Sequence, residues 1–240
     1  MWPICIKEFR QFFSNLTGLL AIIFFLLING LMLFVLPDSS IFEFGYANLD
    51  KFFSLSPWIL LLLIPAITMR SFSEEFRAGT YEILQTRPLR RWEIINGKFL
   101  GSLLVVIIAL IPTILYVFSV NALSENGEID LGGIVGSYIG LFFLAGVFTA
   151  IGIFCSSFTN NAVMAFIICA AACILLYIGF EAISKISVFS AGPDYYIEML
   201  GIDFHYRSIS RGVLDSRDLI YFLSIIVLFL FFTHRNLVRR

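Results

Sequence analysis

Charge is scarce in this sequence. Asp, Glu, Lys and Arg make up 14% of its 240 residues, where an ordinary soluble domain carries roughly 25%. Hydrophobic residues make up 59%, and the mean hydropathy is +0.93. A soluble fold of this length needs more polar surface than that, which disfavours a free cytosolic enzyme. The net charge of −1 argues against a globally basic nucleic-acid binder. Histidine is nearly missing: His205 and His234 are the two. They fall in segments expected on opposite sides of a membrane, and no H-E-x-x-H joins them, so they share neither a metal nor a nucleophile. The four cysteines, Cys5, Cys155, Cys169 and Cys173, lie in or beside apolar runs without C-x-x-C spacing or a neighbouring histidine. They read as buried thiols packing like small hydrophobes, and no metal site is expected. The phosphate-binding pattern G-x-x-x-x-G-K-[ST] is absent as well. Gly97-Lys98 is a Gly-Lys pair with no cradling loop before it, so a nucleotide that powers this protein binds another chain.

What the sequence does hold is long apolar runs. Six are long enough to cross a membrane: 16–36, 52–69, 99–120, 132–158, 162–183 and 216–233. The first rises roughly 31 Å as a helix, enough for the hydrocarbon core. The pattern predicts an all-α integral membrane protein, a single domain over 1–240 with six transmembrane helices. Linker charges orient it. Lys7, Arg10, Arg70, Arg77, Arg87, Arg90, Arg91, Lys98, Arg235, Arg239 and Arg240 fall on one side, and Lys51, Lys185, Arg207, Arg211 and Arg217 on the other. By the positive-inside rule both termini are cytoplasmic, as an even number of spans requires. The near-zero total charge is thus what remains of a basic inner face and an acidic outer one. No Asp, Glu, Lys, Arg or His lies in the central part of any span. A charge kept there usually marks an ion path or proton relay, so its absence argues against an ion-coupled transporter and a voltage sensor.

Residues 1–15 predict an amphipathic helix lying along the inner leaflet, not a cleavable signal peptide, because the apolar run that follows is too long and no A-x-A-like site ends it. Trp2, Cys5, Ile6, Phe9, Phe12 and Phe13 share one helical face, and Lys7, Glu8, Arg10 and Gln11 take the other. Glu181, at the outer end of span five, reads as an interfacial carboxylate facing headgroups. In span four, Gly132, Gly136 and Gly140 recur at every fourth residue, and Gly146 and Ala150 continue the small-residue pattern. Such spacing lets helices approach closely, within the chain or between chains. The abundant phenylalanine reads as lipid-facing bulk.

Residues 70–98, RSFSEEFRAGTYEILQTRPLRRWEIINGK, carry the most information. Phe72, Phe76 and Ile83 share a helical face, with Glu74, Glu75, Arg77 and Glu82 elsewhere, so span two is expected to continue as a helix out of the membrane. Arg87-Pro88 ends it, since the residue before proline avoids the helical region. A second helix places Leu89, Trp92, Ile95 and Phe99 on one face and enters span three. The product is a charged cytoplasmic helical hairpin. A merely solvated charge run leaves its Gly79-Thr80 break and its two apolar stripes unexplained, whereas a docking surface for a soluble partner accounts for both.

The order M-R-x3-E-E-x3-G-T-x-E-x-L-x-T-x-P from Met69 to Pro88, with Gly97-Lys98 entering the next span, resembles the cytoplasmic loop of ABC-2 type transporter permeases. The turn SSFTNN (156–161) and the run SISRGVLDSRDLIYFL (208–223) are similar to that family too. With the N-terminal KEFRQFF, the resemblance covers nearly the whole chain, and within the family it is greatest to the gliding-motility-associated permease subunits. The resemblance implies an ABC-2 exporter-type transmembrane domain in a bacterial inner membrane, paired with a second permease subunit, for which it favours a related protein over a second copy and leaves both open. It also implies a separate ABC ATPase that binds ATP and Mg, leaving this chain without catalytic residues or a cofactor of its own. The ATPase would dock on Glu74, Glu75, Arg77, Gly79, Thr80, Glu82, Leu84 and Pro88, with a smaller contact at Ser156, Ser157, Thr159 and Asn160. Outer, re-entrant helices are implied between spans five and six. Residues 184–215 suit them, with short helical turns at Asp194 to Leu200 and Phe204 to Val213 and interface anchors at Tyr195, Tyr196 and Tyr206. The implied function is to couple ATP hydrolysis by that partner to export or mechanical work. A non-translocating scaffold of a motility or secretion complex, and a lipid or drug exporter permease, would share the same loop. The sequence names no substrate.

Overall fold

Lipid offers backbone groups no hydrogen-bonding partners, so apolar runs of this length satisfy them internally, as helices. Among the residues that the computed structural model describes (1–35, 49–86, 89–123, 130–185 and 194–239), the regular structure is all helical. In chain order the helices are α1 (Trp2–Ser14), α2 (Leu16–Phe34), α3 (Asp50–Thr68), α4 (Ser73–Ala78), α5 (Thr80–Gln85) and α6 (Arg91–Leu110), then α7 (Ile114–Leu123), α8 (Leu131–Ser156), α9 (Ala162–Ser184), α10 (Asp194–Glu198), α11 (Ile202–Ser210) and α12 (Ser216–Arg239). Five stretches are long and apolar enough to cross a membrane, and a sixth is reached when α1 and α2, which meet at 73°, are taken as one bent span.

The centre of the bundle is α8. Of its most apolar window 78% is buried by the protein itself, against 22% in α9 and in α12. It packs against α3, α6, α9, α11 and α12, and small residues let these neighbours close in. A Cβ on Gly152 would collide with Thr68 Oγ1 of α3, and one on Gly146 would stand 3.0 Å from Ile226 Cδ1 of α12. Polar bridges reinforce the packing. Ser56 of α3 donates to Asn29 Oδ1 of α2 at 3.3 Å, and Tyr116 of α7 donates to the Leu26 carbonyl at 3.0 Å. Phenylalanine is not only lipid-facing bulk: Phe25, Phe72, Phe148 and Phe222 are among the largest fully buried side chains.

Three expectations change. Span three is interrupted, because Pro112 has no N–H to donate and its ring crowds the preceding turn. A 3₁₀ turn (Ile111–Thr113) therefore separates α6 from α7. Pro57 and Pro65, by contrast, sit inside α3. Span two does not run unbroken into the hairpin either. The chain turns over 69–72, forms α4, and breaks again at Gly79, whose φ of 67° lies in the left-handed region. That break resets the helical phase. Ile83, expected beside Phe72 and Phe76, is 63% exposed, and Tyr81 takes its place with its ring centre 6.2 and 5.0 Å from theirs. The third change is in α1: its buried residues are Ile4 and Cys5, facing α6, while Trp2 is exposed. Pro88, expected to end the first arm of the hairpin and to take part in docking, lies outside the described residues.

Candidate functional site

Four charges meet beneath the hairpin. Lys98, two turns into α6, is wholly buried. Its Nζ lies 2.8 Å from Glu8 Oε1 of α1 and 3.0 Å from Glu75 Oε1 of α4, and it donates to the Ser71 carbonyl at 2.6 Å. The Phe72 ring centre is 4.9 Å away, adding a cation–π contact. Lys7 completes the group at 2.8 Å from Glu75. Two lysines and two carboxylates balance, which is the condition for keeping charge out of water. Burial alone would raise the Glu75 carboxyl, but Lys98 and Lys7 more than offset it and hold the group below the ordinary carboxylate range. Two glycines admit α1 to this junction. A Cβ on Gly97 would stand 2.9 Å from Ile4 Cβ, and one on Gly101 2.9 Å from Glu8 Cβ.

Lys98 was not among the residues the sequence singled out for docking. Its signal is a lysine at the mouth of an apolar run, with a glycine directly before it and another three residues after it in the pattern G-K-x-x-G. Of the residues that were, Arg77, Gly79, Thr80 and Glu82 form an exposed tip, and Glu74 and Leu84 are half-buried. Glu75 turns inward to the junction instead. Under the tip, Phe72 stacks on Phe76 with ring centres 5.9 Å apart. On the second arm, Trp92 stacks on His234 of α12 at 4.6 Å.

The turn after α8 is anchored in a similar way. Ser156 and Ser157 are buried, and their hydroxyls donate to the Ile153 and Phe154 carbonyls at 3.0 and 2.7 Å. Asn236 of α12 donates to the carbonyl and hydroxyl oxygens of Ser157 at 2.8 and 2.9 Å. Thr159 Oγ1 accepts from the Asn161 N–H at 3.1 Å. The serines therefore hold the turn in place, while Phe158 and Asn160 are the exposed positions beside them.

The glycine seam of α8 lies within the chain. A Cβ on Gly136 would stand 3.0 Å from Gly212 Cα, and one on Gly140 3.2 Å from Ile209 Cγ2, both at α11 or its end. Gly132 is exposed, and a Cβ there would meet only Asp130 of its own helix cap. Further contacts gather at this opposite end. Tyr206, expected at the lipid interface, is buried and donates to the Phe53 carbonyl at 2.6 Å, while Tyr195 and Tyr196 are exposed. Glu181 pairs with Lys185 at 2.6 Å and with Arg207 at 2.7 Å, and Arg207 also pairs with Asp203. His205 Nε2 donates to the Met199 carbonyl at 2.9 Å, and its Nδ1 lies 2.6 Å from Asp218 Oδ1.

Apolar spans around a small-residue helix and a charged hairpin seated on a buried ionic junction define a class: a multi-pass membrane protein. Residues 2–233 match the model of the ABC-2 family transporter proteins, and the chain belongs to that family. Such proteins are membrane components of transporters, and membership implies an ABC ATPase as partner. No curated protein matches the chain.

Proposed function

We propose that the chain is a permease subunit of an ABC-2 exporter-type transporter in a bacterial inner membrane, with both termini cytoplasmic and its ATPase docked on residues 70–98. The observation that carries this reading is the seating of the hairpin. A loop hanging free in solvent would absorb a push by bending. This one stands on Lys98, which α1, α4 and α6 share, so a displacement of the tip is passed to three helices at once. The exposed Arg77, Thr80, Glu82 and Ile83 are the docking contacts, with Phe158 and Asn160 as the second. ATP and Mg stay on the partner, and a related permease supplies the other transmembrane half. The likeness of residues 208–223 to gliding-motility permeases favours mechanical work or export within such a complex.

The test uses the exposed tip and leaves Glu75 alone, since that residue holds the junction. The double variant R77E/E82K is co-expressed with the ATPase and purified. Loss of the ATPase from the complex with unchanged thermal stability is expected. Unchanged assembly and ATP turnover overturns the docking role. Surface spreading of cells lacking the chain tests the motility assignment separately: normal spreading removes it.

A further inference from the structure

His205 is a buried titratable group that the docking scheme does not use. It sits on α11, 4% exposed, and is gripped from two sides. Asp218, in the first turn of α12, places Oδ1 2.6 Å from its Nδ1. The Met199 carbonyl, just past the end of α10, lies 2.9 Å from its Nε2. Tyr221 of α12 covers the ring face, with centres 3.8 Å apart, and gives its own hydroxyl to the Leu200 carbonyl at 2.6 Å.

A neutral imidazole has one N–H and one bare nitrogen, whereas a carbonyl and an ionised carboxylate only accept. With a single ring hydrogen, a nitrogen lone pair would be pressed against an oxygen at one end or the other. Two ring hydrogens satisfy both ends. Two further contacts favour the cationic ring. The Tyr221 face attracts a positive charge, and Asp218, whose Oδ2 is buried without a partner among the described residues, has its ion pair with His205. Other charges on the neighbouring elements are engaged or stand apart. Asp203 of α11 is held by Arg207 and by Tyr177 of α9, and Glu181 of α9 by Arg207 and Lys185. On α12, Asp215 accepts from the Arg217 N–H. Arg211 follows α11 and is exposed, and Asp194 and Glu198 lie on α10. From α8, Gly136, Ser137 and Gly140 face α11.

We infer that His205 is a proton-operated clamp: as an imidazolium it joins the end of α10 to the start of α12, and loss of one proton opens it. The proton that leaves for water is the one on Nε2, because Nδ1–H keeps the shorter, charge-assisted bond to Asp218. Bare Nε2 then opposes the Met199 carbonyl, and residues 199–201 loosen, while α11 stays tied to α12. The segment is tight at low pH and loose at high pH. The clamp is the same whichever way the chain crosses the membrane. In the orientation proposed above it responds to pH on the outer side.

The chain has two histidines, so H234Q leaves His205 alone for ring-nitrogen NMR in detergent, titrated upward from about pH 6. Both ring nitrogens should carry hydrogen at the start, and Nδ1 alone at the end. Hydrogen exchange of 199–201, corrected for its intrinsic pH dependence, should quicken about tenfold over the same step, with α8 unchanged. D218N separates the clamp from a merely structural contact. The asparagine amide can donate to Nδ1, so a neutral ring satisfies both neighbours, and 199–201 should stay protected at every pH. H205Q, which has no titrating ring, should also lose the pH dependence and keeps the test open if D218N fails to fold. A single ring hydrogen at the start overturns the clamp, as does a ring that keeps both hydrogens until the protein unfolds. Exchange at 199–201 that ignores the loss of the proton, or that keeps its full pH dependence in D218N or H205Q, overturns it too.

Discussion

Replacing Lys98 by methionine tests the junction most directly. Methionine is of comparable length, and a volume-conserving exchange by itself costs less than about 1.5 kcal/mol. The structure calls for more. Nζ serves Glu8 at 2.8 Å, Glu75 at 3.0 Å and the Ser71 carbonyl at 2.6 Å, and its removal leaves two largely buried carboxylates facing each other. Removing one partner of a buried ion pair costs about 3–5 kcal/mol. Lys7 remains 2.8 Å from Glu75 and 4.0 Å from Glu8 and relieves part of the repulsion, so the low end, about 3 kcal/mol, is expected. At roughly 2–4 °C per kcal/mol for a chain of this size, Tm should fall by about 6–12 °C in detergent, followed by tryptophan fluorescence. If unpaired charge is the cause, the triple variant K98M/E8Q/E75Q should recover most of that loss, since it leaves no buried carboxylate unpaired. A K98M protein as stable as wild type would refute the reasoning. So would a triple variant no more stable than K98M. If the proposed docking holds, K98M, with its tip intact, should still bind the ATPase but stimulate it less.

Four further outcomes are expected. Gly152→Ala drives a Cβ into Thr68 Oγ1, an overpacking worth about 1–3 kcal/mol, and T68A in the same chain should return part of the lost Tm. Gly79→Ala meets nothing within 4 Å, yet its φ of 67° makes it cost about 1 kcal/mol through the backbone alone, with Asn milder than Ala; hydrogen exchange of α4 and α5 reads this. Glu75 is depressed on folding, so its stabilisation is present above the ordinary carboxylate range and is lost as pH falls through its own lower value. The Tm of E75Q should therefore lack that acid limb. Tyr206→Phe leaves the Phe53 carbonyl without its 2.6 Å donor and should cost about 1–3 kcal/mol in thermal unfolding.

How much of this could be read from residues alone depended on which physics decided it. Lipid forces helix on any long apolar run, so α8 spans Leu131–Ser156 where composition predicts 132–158. Breaks are another matter. Pro57, Pro65 and Pro112 are the same residue in three apolar runs, but the first two sit within a helix and the third lies in a 3₁₀ turn. Packing around each proline settles that, and packing is not a local property. Helical phase carried Phe72 and Phe76 correctly and failed at Ile83, because it cannot be read through a residue with positive φ. Glu74 and Glu75 are neighbours of the same type. What turns one of them inward is Lys7, 68 positions away, together with Lys98, and nothing in the intervening sequence announces it.

On the proposed reading, the two docking contacts attach to different helices, which bears on the far end of the bundle. The hairpin continues from α3, near whose start Tyr206 is hydrogen-bonded to the Phe53 carbonyl. The turn at Ser157 is held by Asn236 of α12, a helix of 24 residues and so about 36 Å long, whose first turn carries Asp218, the partner of His205. Tyr206 and His205 are adjacent on α11. That short helix is also held to α8, where Ser137 donates to the Ser210 carbonyl at 2.9 Å, and to α9, through Arg207 and Glu181. On the proposed reading, an ATPase that moved the hairpin alone would pull α11 at Tyr206 against its tie at His205, and one that moved the Ser157 turn alone would do the reverse. Such an opposed pull strains hydrogen bonds without displacing the helix. Only joint movement of both contacts carries α11 along, so a partner that grips both would move the outer helices, and one that grips either alone would not.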